Sequence, residues 1–200
     1  MVFDFYKDII LENDRVLLRP IEPGDAALLA EAALHDPLML QYSPSRIHTI
    51  PLLEEYINTA LLLRQNYSRY TFTVYDKTSL SWAGSTSYLN ISPADDRLEI
   101  GATWYGKPYQ RSGLNRHCKY LLLEYSFETL HVQRVEFRTD ARNQASRTAI
   151  EKIGGMYEGT LRSHMLMPDG HRRDTVCYSM LAGEWESIKS KFPIVGYDNS

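Results

Sequence analysis

Cysteine is nearly absent from these 200 residues: Cys118 and Cys177 are the only two, and they lie far apart. Neither a disulfide framework nor a metal-binding spacing can be built from them, and such sparse usage fits a reducing cytoplasm. The six histidines (His35, His48, His117, His131, His164, His171) include no pair four residues apart and no cysteine partner at ligand spacing, so no metal site is expected. An excess of positive charge is also missing. With 22 Lys and Arg against 25 Asp and Glu, the net charge is −3, which argues against a duplex-binding protein that must neutralise many phosphates. One or two local phosphate contacts stay open. No apolar run approaches the ~18 residues of a membrane span. The opening Met1-Val2-Phe3-Asp4-Phe5-Tyr6-Lys7-Asp8 carries acids where a signal peptide needs a basic region, so a non-exported protein without a membrane partner is expected. Neither a Gly-x-Ser-x-Gly elbow nor a Gly-Lys-Ser/Thr phosphate loop occurs, which disfavours a serine acyl hydrolase and a P-loop nucleotide hydrolase.

What is present is an ordinary globular balance, 44% hydrophobic and 24% charged residues, with 14 tyrosines that suit a cleft with polar-tipped walls. One domain spanning 1–200 is expected, with a core over about 15–185, a loose leader over 1–12 and a loose tail over 192–200. Arg15-Val16-Leu17-Leu18-Arg19-Pro20 reads as a strand, and Pro23-Gly24-Asp25 opens a helix to about residue 34. A looser piece over 35–50, with Pro37 and Pro44, is suited to face a substrate, and a second helix runs from Thr49 or Pro51 to about Gln65. Alternation over 70–74, 80–90 and 98–104, with turn residues between, predicts an antiparallel meander. A helix over 114–130 then leads to a strand over 132–139, the order of a parallel pair joined by a crossover. A helix over 143–153 stops at Gly154-Gly155, a hairpin follows over 156–180 around Pro168-Asp169-Gly170, and Glu184-Trp185 begins a last helix.

The centre of this pattern is the strand-to-helix turn Tyr109-Gln110-Arg111-Ser112-Gly113-Leu114-Asn115. Apolar Leu114, Cys118, Leu121, Leu122 and Tyr125 give the following segment helical spacing, and the first N–H groups of such a helix attract an anion, typically a phosphate. Read alone, the turn is more simply an ordinary connection, with Gly113 relieving backbone strain and Arg111 solvated. In the strand before it, strict alternation would put Leu98, Ile100, Ala102 and Trp104 in the core and Glu99, Gly101 and Thr103 on the opposite side. Glu99 beside a glycine is then a general base facing a cleft, or simply an exposed acid on a solvated face. Asn143 and Ser146 have the same double reading: an N-cap with a bystander, or an amide and a hydroxyl aimed into the cleft. Arg162, His164, His171, Arg172 and Arg173 flank the hairpin turn as a solvated, ion-paired edge, with contact to an acidic substrate or a phosphate as the other option.

Together, Leu98-Glu99-Ile100-Gly101, Gln110-Arg111-Ser112-Gly113-Leu114-Asn115, Asn143-Gln144-Ala145-Ser146, Glu151-Lys152-Ile153-Gly154-Gly155, Glu158-Gly159-Thr160-Leu161-Arg162 and Asp174-Thr175-Val176 resemble the GNAT superfamily of acyl-coenzyme A dependent N-acetyltransferases. The resemblance runs from about Arg15 to Trp185 and points in particular to the branch of ribosomal-protein N-terminal alanine acetyltransferases. It implies the α/β (α+β) GNAT fold, a mixed, mostly antiparallel sheet of about six to seven strands flanked by helices, with a central parallel pair. It implies acetyl-CoA as co-substrate and an amine acceptor, either a protein N-terminus or a small molecule, in a monomer or homodimer. By the same resemblance Gln110, Arg111, Ser112, Gly113, Leu114 and Asn115 bind the pyrophosphate. The edge at Thr103, Trp104 and Tyr105 bonds the pantetheine arm, with Asn143 and Ser146 beside it and the thioester sulfur. Glu99 is then the catalytic base, and the thiolate leaves near Ser146. A non-catalytic acyl-CoA binding module on the same fold is the alternative. Three departures stand out: Asn115 replaces a small residue, Ile150 occupies the position of a tyrosine proposed to protonate the thiolate, and Gly155 replaces a common aromatic. The acid role then passes to Ser146, water or another tyrosine.

Overall fold

The structure, a computed structural model, describes residues 1–34, 36–192 and 194. One eight-stranded sheet organises it: β1 (Leu11–Glu12), β2 (Val16–Pro20), β3 (Arg69–Asp76), β4 (Ser81–Ser92), β5 (Arg97–Tyr105), β6 (Arg134–Asp140), β7 (Met156–Leu166) and β8 (Arg172–Leu181). Their order across the sheet is β1-β2-β3-β4-β5-β6-β8-β7, antiparallel throughout except for the parallel pair β5·β6. The expected mixed architecture is present with one strand more, the two-residue β1. The helices are α1 (Asp25–Ala33), α2 (Ile50–Gln65), α3 (Leu114–Glu124), α4 (Gln144–Lys152) and α5 (Trp185–Lys189). Thr49 caps α2, with Pro51 in its first turn, as its sequence demands. The helix expected over 114–130 keeps its α form only to Glu124 and widens into a π turn over Tyr125–Thr129.

Cross-strand register divides the sheet into two chemically distinct faces. Tyr70, Phe72, Val74, Tyr88, Leu98, Ile100, Val135, Phe137, Tyr178 and Met180 share one face and are all buried. Helix α3 covers it, and the Tyr88 hydroxyl donates to the Leu122 carbonyl at 2.7 Å. The opposite face carries Arg69, Thr71, Thr73, Ser85, Ser87, Glu99, Glu136, Asp140, Thr175 and Ser179, also buried but polar. Helices α1 and α2 cover part of that face: the buried Asp25 of α1 accepts from Thr73 Oγ1 at 2.7 Å, and Tyr56 of α2 reaches Ser85 at 3.0 Å. Burying so many polar groups is tolerable only because each finds a partner there.

The leader expected to be loose is packed instead. Phe3 and Phe5 are buried, Phe3 stands edge-on to Tyr70 and Tyr88, and the amino terminus pairs with Asp96. The Tyr70 hydroxyl receives the Ile9 N–H and donates to the Lys7 carbonyl, so the segment is tied by hydrogen bonds as well as by its aromatic rings. At the other end, Phe192 packs on Tyr120, with ring centroids 5.4 Å apart. Residues 193 and 195–200 of the expected loose tail, and His35 of the expected substrate-facing piece, lie outside the described residues.

Candidate active site

The parallel pair β5·β6 holds for three register positions only, Arg97↔Arg134, Leu98↔Val135 and Glu99↔Glu136. Beyond Glu99 each strand keeps its outer neighbour, β5 with β4 as far as Tyr105↔Gly84 and β6 with β8 as far as Asp140↔Thr175. The sheet therefore opens into a wedge with Glu99 at its apex. A cleft of about 1100 Å³ fills this wedge and reaches both surfaces of the sheet. It brings together Glu99, Thr103, Trp104, Tyr105, Gln110, Arg111, Gly113, Asn115, Asn143 and Ser146, all expected from the sequence. Ser112 and Leu114, expected in the same loop, do not line it: Ser112 supports the loop and Leu114 is buried in the core.

Strict alternation along β5 fails after Gly101. Gly101 faces Ser87 and Trp104 faces Ser85, so three steps on β5 match two on β4, and Ala102 sits at φ 45° in the bulge. The extra residue exchanges the faces of the residues after it. Ala102 and Trp104 are thus not core partners of Ile100: Ala102 is exposed, and Trp104 turns to the polar face beside Tyr56, ring centroids 6.2 Å apart. Thr103 turns the other way, sharing a 2.7 Å hydrogen bond with Thr86 and accepting from Lys119 Nζ at 2.8 Å. Nor does Gly101 leave open space in front of the acid. A Cβ there would meet Leu89 Cδ1 at 2.7 Å and Glu99 Oε1 at 3.2 Å.

Glu99 is only 6% exposed. Its Oε2 accepts from Asn90 Nδ2 at 2.8 Å and lies 3.4 Å from Arg138 Nε. Burial pushes its carboxyl above the ordinary carboxylate range; the Asn90 hydrogen bond and the Arg138 charge pull it back only in part. A carboxyl held in this way can take a proton near neutral pH more readily than a solvated one.

At the mouth of the wedge the chain makes a tight approach to α3. Gln110 donates to the Tyr105 carbonyl at 3.0 Å and Ser112 to the Tyr109 carbonyl at 2.7 Å, so these two side chains fix the loop. Gly113, at φ 89°, is the N-cap of α3 with no side-chain cap. Nothing lies within 4 Å of where its Cβ would be, so space is open beside the helix N-terminus, where the Leu114 N–H makes only a long 3.4 Å bond to Ser112 Oγ. Asn115 Oδ1 is buried without a hydrogen-bond partner among the described residues. That orphaned acceptor and the positive end of the α3 dipole fit an amide-bearing, phosphate-bearing ligand.

Asn143 caps α4, its Oδ1 accepting the Ser146 N–H at 3.1 Å, so the capping role and the cleft position coexist. The two departures at 150 and 155 prove to be one feature. A Cβ on Gly155 would lie 2.4 Å from Ile150 Cγ2, so the β-branched Ile150 needs glycine at 155. Cys118 is buried and burial pushes its thiol up to about 12, so it remains a thiol at neutral pH.

Three cleft residues carry little or no signal in the sequence: Lys119 and Arg69 read as ordinary polar positions, and Arg173 reads first as part of a solvated edge. Lys119 falls on the buried side of α3 and is 6% exposed; burial lowers its ammonium to about 8. The folded state therefore prefers Lys119 neutral, whereas the unfolded chain keeps it protonated to about 10.5. Below pH 8 folding carries the full cost of burying the charge, about 3 kcal/mol by the size of that displacement, and the cost is relieved as pH rises from 8 to 10.5. Lys119→Met should accordingly raise the unfolding free energy at pH 7 and remove this rise with pH. Urea unfolding of both proteins without ligand, across pH 7 to roughly 10, checks it; parallel pH profiles would count against it.

Among the described residues no helix is long and apolar enough to cross a membrane, and no group of three or more His, Cys, Asp or Glu is placed to hold a metal ion. The family model of the acetyltransferase (GNAT) domain matches residues 15–156. "Putative ribosomal N-acetyltransferase YdaF" of Bacillus subtilis is 29% identical over 188 residues, covering 88% of this chain and 97% of that protein. A GCN5-related N-acetyltransferase from Brucella melitensis superposes with a TM-score of 0.85 at 28% identity, over 93% of this chain and 84% of that one. The ribosomal-protein-S5-alanine acetyltransferase of Vibrio fischeri shares the fold, with a TM-score of 0.71 at 21% identity over 89% of this chain and 99% of its own. A wedge opening at an acid, a glycine-capped helix N-terminus at its mouth and a match across most of the chain converge: this protein belongs to the GNAT acetyltransferase family and is an acetyl-transferring enzyme.

Proposed function

We propose that the enzyme transfers an acetyl group from acetyl-CoA to a primary amine by direct attack, both substrates bound together in the cleft. The observation that carries this reading is the parting of β5 and β6 directly after Glu99. It leaves backbone groups of Ile100 to Tyr105 facing the cleft on one wall and the buried carboxyl of Glu99 at its end. Acetyl-CoA, when bound, supplies an activated acyl group as a thioester.

The chain's own residues then divide the work. The N–H groups at the start of α3, with Arg111 beside them, would hold the pyrophosphate. Backbone groups at Thr103, Trp104 and Tyr105 would hold the pantetheine arm in strand fashion and place an N–H donor against the acyl oxygen. Asn115 Oδ1 would take a donor from the same ligand. Glu99 would accept the proton the amine loses as it attacks, directly or through one water. Ser146, at the first turn of α4, would stand near the leaving sulfur, and Cys118, buried as a thiol, takes no part.

The likeness to proteins named as ribosomal N-acetyltransferases supports a protein N-terminus as acceptor. The test is an acceptor screen of peptide N-termini and small amines with acetyl-CoA, reading free thiol and the mass of the product. Acetylated amine is the expected result. Tight acetyl-CoA binding without turnover on any amine would instead identify a binding module.

A further inference from the structure

Six arginines of the sheet and its flanks neutralise carboxylates: Arg15 with Asp76, Arg19 with Asp25, Arg97 and Arg134 with Glu136, Arg138 with Glu99, and Arg142 with Asp140. Two others do not. Arg69 and Arg173 are each 8% exposed, both line the cleft, and neither has a carboxylate within 4.0 Å among the described residues.

Arg69 is held firmly by neutral groups. Its Nε donates to Ser87 Oγ at 2.9 Å, its Nη2 donates to the Tyr56 hydroxyl at 2.8 Å, and its guanidinium lies 5.3 Å from the Tyr56 ring centroid. These contacts orient the fork without neutralising it. Arg173, at the hairpin, reaches the Tyr42 carbonyl only at 3.5 Å, and its buried Nε has no partner among the described residues. A buried cation without an anion is costly, and the usual resolution is an ion pair. Arg173 feels the more distant carboxylates of Asp140 and Glu99, whereas Arg69 has only neutral partners among the described residues, so an anion in the cleft would complete its pairing.

Register places Arg69 relative to the reacting end. Arg69 faces Leu89, and Leu89 faces Glu99, so the three lie in one row on the polar face. Two strand spacings separate Arg69 from Glu99, roughly 10 Å between Cα positions. Ser87, which Arg69 grips, is the direct partner of Gly101, next to the Glu99 carboxyl. On the other side Arg173 is close enough to act electrostatically on Glu99.

We propose that the acceptor is an amine that also bears a carboxylate: the fork of Arg69 holds the carboxylate, Arg173 adds a second positive charge, and the amine is presented to Glu99. This rests on the transfer reading of the cleft. The carboxylate has two sources, the free α-carboxylate of an amino acid or an acidic side chain following a peptide N-terminus.

The test compares matched pairs: alanine against alaninamide, and a C-terminally amidated peptide beginning alanyl-glutamyl against one beginning alanyl-glutaminyl. Affinity is read by calorimetry on the protein saturated with coenzyme A, and acetylated product by mass in parallel. We expect at least one pair to show a tenfold or greater preference for the carboxylate, and the pair that shows it names the source. Arg69→Gln should reduce that preference below twofold with coenzyme A affinity unchanged, and Arg69→Lys should keep most of it. Equal affinities within both pairs, or a preference that persists in Arg69→Gln, overturns the proposal. Carboxylate-selective binding without acetylated product from any amine overturns the transfer reading and leaves the anion site standing. Turnover without selectivity does the reverse.

Discussion

Replacing Gly113 by glutamate should lower the affinity for coenzyme A by at least about 100-fold, since two effects act at one atom. Gly113 sits at φ 89°, where an L-residue is strained by about 1 to 2 kcal/mol. The new side chain would start in open space directly before the uncapped N-terminus of α3, where the pyrophosphate is expected. Two like charges at about 4 Å repel by roughly 1 to 4 kcal/mol at the dielectric of a protein surface. The helix end itself would attract the new carboxylate and so occupy its own anion site. Gly113→Ala separates the two effects, for it carries the backbone strain without the charge and should lose no more than about tenfold. Calorimetry with coenzyme A, alongside circular dichroism to show that both variants are folded, decides. Retained affinity in Gly113→Glu would mean that the pyrophosphate sits elsewhere.

That loop is legible in the sequence because its signal is local: a strand pattern, a glycine and a helix period succeed one another without interruption. The helix ends at Thr49, Asn143 and Gly154 are legible for the same reason. The bulge in β5 is not. Leu98-Glu99-Ile100-Gly101-Ala102-Thr103-Trp104 alternates in composition straight through it, and only pairing with Ser85 and Ser87 shows that one residue is extra. Alternation therefore puts Trp104 in the core and Thr103 beside Glu99, and the structure exchanges them. The buried leader is hidden by its acids, Asp4 and Asp8, although Phe3, Phe5 and Ile9 carry the apolar signal.

Arg69 and Lys119 illustrate a deeper limit. Each stands at a position that a pattern of hydrophobic periods treats as surface or ignores, and a charged residue in a strand or helix is ordinarily solvated. Their burial arises from how far β5 and β6 part and from what α2 and α3 then cover, which depends on contacts far apart in the chain. The same dependence explains Ile150 and Gly155. As separate departures they have no meaning, and as a contact they are a single exchange of volume between a helix and the strand after it.

The largest expected loss of rate is that of Glu99→Gln, on the order of 100-fold or more, the usual contribution of a positioned general base. The amide has nearly the same shape and can still accept from Asn90, but it cannot take a proton from the amine. Because burial raises the Glu99 carboxyl, the folded state already bears a cost for its ionised form at neutral pH. That cost is absent below the unfolded carboxylate range, grows as pH rises from the unfolded to the folded value and is complete above it, so glutamine should leave stability at pH 7 unchanged or higher. Affinity for acetyl-CoA should hold, for none of the groups at 110–115 touches this carboxyl. In the wild-type enzyme kcat/KM should fall on the acid side as Glu99 takes up its proton, at a pH above the ordinary carboxylate value of 4.5. In Glu99→Gln that limb should vanish with the rate. Rates measured across pH on the acceptor found by the screen, with acetyl-CoA saturating, separate the outcomes. A variant as fast as the wild type at every pH would remove Glu99 from the chemistry and leave it as the apex that parts the strands.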